Sequence, residues 1–344
     1  MRWRQVWRRA SPVCITTLII VLMTLLAVAV PVVRFAAEAQ TAGKVWRVAY
    51  LSLGSGELHT PGMKALTQQL RELGYAEGKN LILDYQSAEG QPARLADVAA
   101  ALVVTKPDAI IAGGGTLTAR AAKKATDSIP IVMVAVGDPV AAGLVASLAR
   151  PGGNVTGLST LAPEVAGKRI QFLAELLPRL SHVAVLLNPV TPYSERALAE
   201  IKTTATSLGV QVHVVEMRSA SDLAAALKQA MRFGPALMVL EDPLTYALRE
   251  KIAELAIANQ LTAIYGLREH VEVGGLMSYG ADLTALYRRA ASYLDKILKG
   301  VKPADLPVEQ PIKFELVINR RTATALGLTI PPSLLLRADQ VIDP

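Results

Sequence analysis

The sequence contains almost no cysteine. Its single cysteine, Cys14, lies inside an apolar stretch near the amino terminus. The chain that follows has no thiol, which excludes a disulfide, a thiolate metal site and a cysteine nucleophile there. A lipid anchor is excluded as well, because Cys14 precedes most of the apolar stretch and a lipoprotein cysteine would follow it. The mature chain must therefore be stabilised by core packing alone.

Histidines, aromatic residues and catalytic motifs are also sparse. The four histidines include no pair at metal-ligand spacing, and only 5% of the residues are aromatic. The segment "GLSTL" at 157–161 has leucine where a nucleophile elbow needs its last glycine. The segment "GGGT" at 113–116 lacks the G-K-[ST] of a P-loop. We therefore expect no catalytic residue, no metal and no cofactor, and the shortage of aromatic platforms argues against a sugar site.

The first forty residues differ from the rest. Four arginines precede the apolar stretch 13–33, and Ala37-Glu38-Ala39 fits the small-x-small cleavage rule. This pattern predicts a signal peptide over residues 1–39 and a periplasmic protein. An uncleaved membrane anchor is the alternative, because about 20 apolar residues span a bilayer. Cleavage removes five arginines and Glu38, which lowers the net charge from +7 to +3, so we expect no nucleic-acid partner.

From residue 44 onward, short apolar runs alternate with helical patterns. The runs lack the alternation of apolar and polar residues that a half-buried strand shows, and they are bounded by Gly or Pro. Both features are typical of buried parallel strands. This βαβ rhythm requires a parallel sheet with right-handed crossovers, and it predicts an α/β fold. Strands are predicted at 45–53, 81–85, 108–114, 129–139, 182–189, 210–217, 236–243, 262–266 and 275–280. Helices are predicted near 60–73, 92–105, 116–127, 164–177, 194–208, 221–232, 246–259 and 283–299, followed by one more strand and a short helix.

The rhythm restarts after "PGGNVTGLST" at 151–160, which is interpreted as a crossing segment. A long helix and a Pro-rich stretch then follow the second set of strands. We infer two doubly wound parallel-sheet lobes joined by a three-segment hinge. The predicted N-terminal lobe is 44–157 plus 281–303, and the C-terminal lobe is 158–280 plus 304–344.

Ligands of open α/β sheets bind beyond the carboxyl ends of the strands. The first such loop, "GSG" at 54–56, begins a dinucleotide fingerprint, but His59 stands where the third glycine belongs. A turn that simply needs glycine is one interpretation. A small ligand held by hydroxyls and by free backbone amides at helix starts is the other. The candidates from this half are Ser55, Gly56, Gly114 and Thr116.

The second group of candidates carries carboxylates, an amide and two rings. Asp138 and Asp242 each stand in "-DP-" at a predicted strand end, where Asx-Pro starts a turn or caps a helix. The alternative is a carboxylate that pairs with a ligand ammonium, whose burial needs an anionic partner. Asn188 is a turn former that is also able to donate to a ligand. Tyr265 and Tyr279 are either core residues or a cleft wall for an apolar or aromatic ligand group.

Four segments carry a resemblance to a known family. They are "IPIVMVAVGDPVAAGLVASLARPGGNVTGLST", "AIYGLREHVEVGGLMSYG", "YLDKILKGVKPADLPVEQPIKFELVIN" and "ALGLTIPPSLLLRADQVI". They resemble ABC-transporter substrate-binding proteins of the uncharacterised transport system type, over roughly residues 45–342. The resemblance implies the type I periplasmic binding protein fold and a monomeric, non-enzymatic receptor. Such a receptor delivers a solute, an amino acid or related carboxylate, to a permease and an ATPase.

The resemblance also places ligand contacts at the candidates already named, in both lobes. The stretch "ELHT" at 57–60 departs from the family pattern, and this loop helps to set the shape of the pocket. Two other functions stay open. One is an exported enzyme on the same fold that uses Asp138 and Asp242 as acid and base. The other is a ligand sensor for a membrane partner.

Overall fold

The computed structural model describes residues 44–54 and 60–343. The predicted signal peptide, the candidates Ser55 and Gly56, and His59 lie outside the described residues. Within the described part, no helix is long and apolar enough to cross a bilayer.

Twelve strands form two sheets in the described chain. The first sheet contains five parallel strands in the order β2-β1-β3-β4-β5. The second has the order β12-β11-β10-β9-β8-β6-β7 and is parallel except where β10 meets β11. The strands are β1 Trp46–Ser52, β2 Leu81–Ser87, β3 Ala109–Ala112, β4 Ile131–Val136, β5 Val155–Ser159, β6 His182–Leu187, β7 Gln211–Glu216, β8 Ala236–Val239, β9 Thr262–Tyr265, β10 Met277–Ala281, β11 Phe314–Asn319 and β12 Gln340–Ile342.

Within residues 44–54 and 60–343, twelve α-helices cover the two sheets. They are α1 Pro61–Glu72, α2 Leu95–Val104, α3 Thr116–Ala125, α4 Ala162–Leu176, α5 Ser194–Ser207, α6 Leu223–Ala230, α7 Pro243–Ala247, α8 Arg249–Ala258, α9 Glu269–Glu272, α10 Leu283–Leu298, α11 Arg320–Ala325 and α12 Pro332–Arg337. Each sheet has a buried apolar cluster on both of its faces. Burial on two faces explains why the inner strands are continuously apolar, as the sequence predicted.

The first sheet with α1, α2, α3 and α10 is called the first lobe, and the second sheet with the other helices is the second lobe. Three passages join them. The chain leaves β5 for α4, leaves β10 for α10, and returns to β11 after running beside β5, where Ser159 N donates to Glu309 O at 2.9 Å. This is the three-segment hinge of the sequence analysis. The exact residues that divide the lobes stay a prediction.

The segment at 151–160 is more than the predicted crossing. Its residues 155–159 form β5, which pairs in parallel with β4. Gly157 makes this pairing possible: its φ is +135°, and a Cβ there would lie 2.1 Å from Met133 O. The pattern analysis also missed α9, α12 and β12. It did not foresee that β11 is antiparallel to β10, a direction set by the return of the chain from the first lobe.

Candidate functional site

A cavity lies between the lobes, at the carboxyl ends of strands from both sheets. It measures about 760 Å³, including space open to solvent. The first lobe lines it with the start of α1, the loops after β3 and β4, and α10. The second lobe lines it with the loops after β6, β8 and β9. The cavity lies at the carboxyl ends of strands from both sheets, where the sequence analysis expected a ligand to bind.

The glycine loop after β3 directs the amino end of α3 at the cavity. Thr118 Oγ1 donates to Gly113 O at 2.6 Å and fixes the turn, while Gly114 N donates to the Tyr287 hydroxyl at 3.1 Å. Thr116 is 3% exposed and lines the cavity. The first amides of a helix have no carbonyl partner within the helix, so this end attracts an anion. The predicted residues Gly114 and Thr116 both lie here.

Three buried hydroxyls in the cavity wall have no hydrogen-bond partner among the described residues. They are Thr116 Oγ1, Thr160 Oγ1 and the Tyr193 hydroxyl. Burial, with Glu241 and Asp242 nearby, raises the pKa of Tyr193 well above its usual value. Its hydroxyl is therefore protonated at neutral pH. Buried polar groups are nearly always paired in folded proteins, so an unpaired set in one cavity indicates a place for a polar ligand.

Glu269, which sequence analysis missed, adds a carboxylate to the cavity. It begins α9 after β9, is 6% exposed, and its Oε2 has no partner in the described chain. Desolvation raises the pKa of this carboxyl to about 7. The neighbouring Arg268 is already engaged, donating to Glu272 at 2.9 Å and to Glu315 at 2.8 Å. Glu269 therefore faces the cavity with no ion-pair partner among residues 44–54 and 60–343.

A buried ion pair supports the second-lobe wall. Arg169, on α4, is 0% exposed and donates to Glu241 Oε2 at 2.6 Å and Oε1 at 2.7 Å. Its Nε donates to Tyr279 O at 2.8 Å. Glu241 also lines the cavity. A bidentate pair of this kind fixes both side chains, so Glu241 shapes the wall and its charge is already balanced.

Asp242 lines the cavity, and its carboxylate is held by the second lobe itself. Oδ1 accepts from Leu244 N at 2.8 Å and from Asn188 Nδ2 at 3.2 Å, while Oδ2 accepts from the Thr191 hydroxyl. Desolvation raises the pKa of Asp242. The residue caps α7, as the Asx-Pro interpretation expected. Asn188 is 2% exposed and acts through Asp242, because it does not belong to the cavity wall formed by described residues.

Asp138 lies at the edge of the cleft rather than in the cavity wall. It is 6% exposed; Oδ1 accepts from Ala141 N at 3.0 Å, and Oδ2 accepts from Arg196 Nη1 at 2.5 Å. Arg196, on α5, also donates to Glu164 at 2.8 Å. Asp138 follows β4, so this ion pair joins the two lobes. Its role as a ligand residue stays a prediction.

The predicted tyrosines pack in the second-lobe core, which was the alternative to a cleft wall. Tyr265 stacks on His270 with ring centroids 4.7 Å apart, and Tyr279 meets Phe172 edge-on at 5.0 Å. Neither ring lines the cavity among the described residues. Three other rings do: Tyr193, Tyr246 and Tyr287. The sequence analysis did not select them, because Tyr193 lies in a turn before α5 and the other two lie on α7 and α10, rather than directly at the ends of predicted strands.

Two histidines that are distant in sequence meet in the structure. His182 Nδ1 and His213 Nε2 are 3.1 Å apart on β6 and β7, and His213 stacks on Phe233 at 4.0 Å. This pair lies at the edge of the second sheet, away from the cavity. Residues 44–54 and 60–343 contain no group of three or more side chains that would hold a metal ion.

The lobes touch across the cleft. A Cβ on Gly137 would lie 2.5 Å from Tyr193 Cδ1, which shows how closely the second-lobe ring approaches the first lobe. Leu267 belongs to the apolar cluster of the first lobe, and Tyr246 packs against that cluster. With the Arg196–Asp138 pair, these contacts define a closed arrangement around the cavity.

Two α/β lobes that close over a small polar cavity, joined by three passages of the chain, define a cleft-binding protein of the type I periplasmic binding protein fold. Residues 55–342 match the family model described as ABC transporter substrate binding protein, and the chain belongs to that family.

Three relatives illustrate the likeness. A tyrosine-binding protein of Clostridioides difficile is 29% identical over 265 residues, covering 77% of this chain and 76% of the relative. A domain from Streptococcus pneumoniae, solved in complex with L-Trp, has a TM-score of 0.81 at 28% identity. A ligand-free, open substrate-binding protein from Clostridium difficile has a TM-score of 0.63 at 25% identity. In both structural comparisons, 87% of this chain and 100% of the other chain are covered.

Proposed function

We propose that this protein is the periplasmic receptor of an ABC importer and that it captures an amino acid with an aromatic side chain. The observation that carries the proposal is the interlobe cavity, whose wall combines three tyrosine rings with buried, unpaired polar groups. The names of the relatives support it: one is a tyrosine-binding protein and another was solved with L-Trp.

The ligand carboxylate binds at the amino end of α3. The first amides of α3, which have no carbonyl partner within the helix, and the unpaired Thr116 hydroxyl supply donors there, and the helix dipole favours an anion. The side chain of the ligand lies against the tyrosine wall, where an aromatic ring gains contact area and ring–ring contacts. Ser55 and Gly56 lie outside the described residues, and we retain them as proposed contacts.

Ligand binding selects the closed arrangement of the lobes. The fold matches the L-Trp complex much better than the ligand-free, open relative, with TM-scores of 0.81 and 0.63 at nearly equal identity. This difference supports a closed state of the same kind here. A ligand that contacts both lobes shifts the population toward that state.

The receptor acts in the periplasm as a monomer and hands its solute to permease and ATPase subunits. The basic, apolar and small-residue sequence of 1–39 supports export and cleavage after Ala39. We propose no catalytic step, because the carboxylates of Asp138 and Asp242 are both engaged by protein partners. Neither is poised to act as a free acid or base.

The first prediction tests ligand class. Protein exported with its own leader and purified from periplasmic extract is screened by thermal unfolding against the twenty amino acids and small carboxylates. L-Tyr, L-Trp or L-Phe should raise Tm by about 5 °C at a concentration about 100 times Kd.

Mass spectrometry of the same sample reports three further results: the amino terminus, any ligand that co-purifies, and whether added amino acid is recovered unchanged. A flat response of Tm to every amino acid would contradict the proposed function. Conversion of the added amino acid into a product would favour the enzyme hypothesis.

A further inference from the structure

Among the described residues, the carboxylates of Glu241, Asp242 and Glu269 line the cavity and that of Asp138 lies at its edge, and their hydrogen bonds distinguish Glu269 from the other three. The carboxylate of Glu241 is held by Arg169, that of Asp138 by Arg196 and Ala141 N, and that of Asp242 by three donors of the second lobe. Glu269 differs, because its Oε2 has no partner in the described chain.

Glu269 is buried at a position that borders two cavities. Glu269 is 6% exposed, lines the interlobe cavity, and also lines a second cavity beside Thr60 and Arg249. Burying a carboxylate with one oxygen unpaired is costly, and burying a ligand ammonium is costly for the same reason. An ion pair between the Glu269 carboxylate and the ligand ammonium removes both costs, so this part of the cavity favours a cationic group.

We propose that Glu269 binds the protonated amine of the ligand, so that the receptor selects solutes with both a carboxylate and an amine. The proposal rests on the proposed function. Thr116 and the start of α3 belong to the first lobe, whereas Glu269 belongs to the second. A zwitterion therefore joins the lobes through its two charged ends, and a ligand that lacks either end holds the cleft closed less well.

The test compares Glu269→Gln with the wild type by calorimetric titration of L-Trp, 3-indolepropionate and tryptamine. These probes carry both charged groups, the carboxylate alone and the amine alone. We expect the variant to lose L-Trp affinity at least fiftyfold and tryptamine affinity to a similar extent. The affinity for 3-indolepropionate, weaker in the wild type, should stay within about threefold or increase.

Glu254→Gln, an exposed change on α8 that removes only a surface pair with Lys251, is the matched control and should bind L-Trp as the wild type does. Thermal unfolding checks that Glu269→Gln is folded. Two results would overturn the assignment: unchanged L-Trp binding by a folded Glu269→Gln variant, or wild-type affinity for 3-indolepropionate equal to that for L-Trp.

The probes also separate this proposal from the broader one. If the wild type binds tryptamine but no amino acid, and Glu269→Gln loses tryptamine, the proposed function fails while the assignment of Glu269 holds. If L-Trp binds equally well to both proteins, the proposed function holds and the assignment fails. If none of the three probes nor any amino acid binds the wild type, both fail.

Discussion

At the scale of single residues, three of the four carboxylates that the described part of the cleft contains are balanced before a ligand binds. Arg169, Arg196 and the cap of α7 satisfy these three, while no described cation pairs with Glu269. A carboxylate whose hydrogen bonds are already made to protein groups contributes little to the free energy of ligand binding. An unpaired buried group contributes much more, because its desolvation cost is relieved when a partner arrives.

The pKa of Glu269 makes ligand binding depend on pH. The pKa is raised to about 7, chiefly by desolvation; a hydrogen bond from its own backbone N–H and the charge of Arg268 lower it, while Glu272 and Glu315 raise it. Below pH 7 the carboxyl is protonated in the empty protein and must lose its proton to pair with an amine. We therefore expect the Kd for L-Trp to rise about fivefold from pH 7 to pH 6, to approach a tenfold rise per unit at lower pH, and to fall about twofold from pH 7 to 8.

Titration calorimetry from pH 5.5 to 8 measures this dependence, and buffers of different ionisation enthalpy report the proton released at pH 6. L-Trp is a zwitterion over the whole range, so the ligand itself adds no slope. Glu269→Gln should bind weakly at every pH with no proton release. An equal slope in the wild type and in the variant would assign the titration to another group.

At the scale of elements, the sequence predicted the strands best where burial is complete. The runs that became β1, β3, β4, β8 and β9 are apolar on both faces, so no other structure would bury them as well. Gly114, Thr116 and Asp242, which the strand-end rule selected, line the cavity, and their role as ligand contacts stays a prediction. The rule did not separate a residue that faces the cavity from one that faces the core, and Tyr265 turned out to face the core.

Glu269 was missed for a related reason. It occurs in "LREH", a stretch that is charged like an exposed loop, and only the packing of the lobes buries it. Arg169 has the same character, since it lies in a helix whose polar residues otherwise face solvent. Contacts between elements that are far apart in sequence create both environments, and no local pattern reports them.

The cap of α7 should matter for stability more than for chemistry. Asp242→Ala removes the acceptor of Leu244 N and leaves Asn188 and Thr191 with an unpaired donor each. We expect a loss of about 2–3 kcal/mol in the free energy of unfolding, measured in urea. Asp127→Ala, at an exposed position, is the control and should change it by less than about 0.5 kcal/mol. Equal effects of the two changes would show that the cap is dispensable.

At the scale of the whole molecule, the Arg196–Asp138 pair connects α5 of the second lobe to the loop after β4 of the first. The pair exists only while the lobes are closed, so removing it favours the open state. Arg196 is 51% exposed, and solvent screening limits such a pair to about 1 kcal/mol. Arg196→Gln should therefore weaken L-Trp binding about fivefold and increase the radius of gyration of the ligand-free protein in X-ray scattering.

Arg218→Gln, the control, removes an exposed pair with Glu216 inside one lobe and should change neither quantity. The effect of Arg196→Gln should fade at 1 M salt, where the Debye length is about 3 Å. A loss of affinity that is independent of salt, with an unchanged radius, would mean that Arg196 acts on the cavity itself and not on closure.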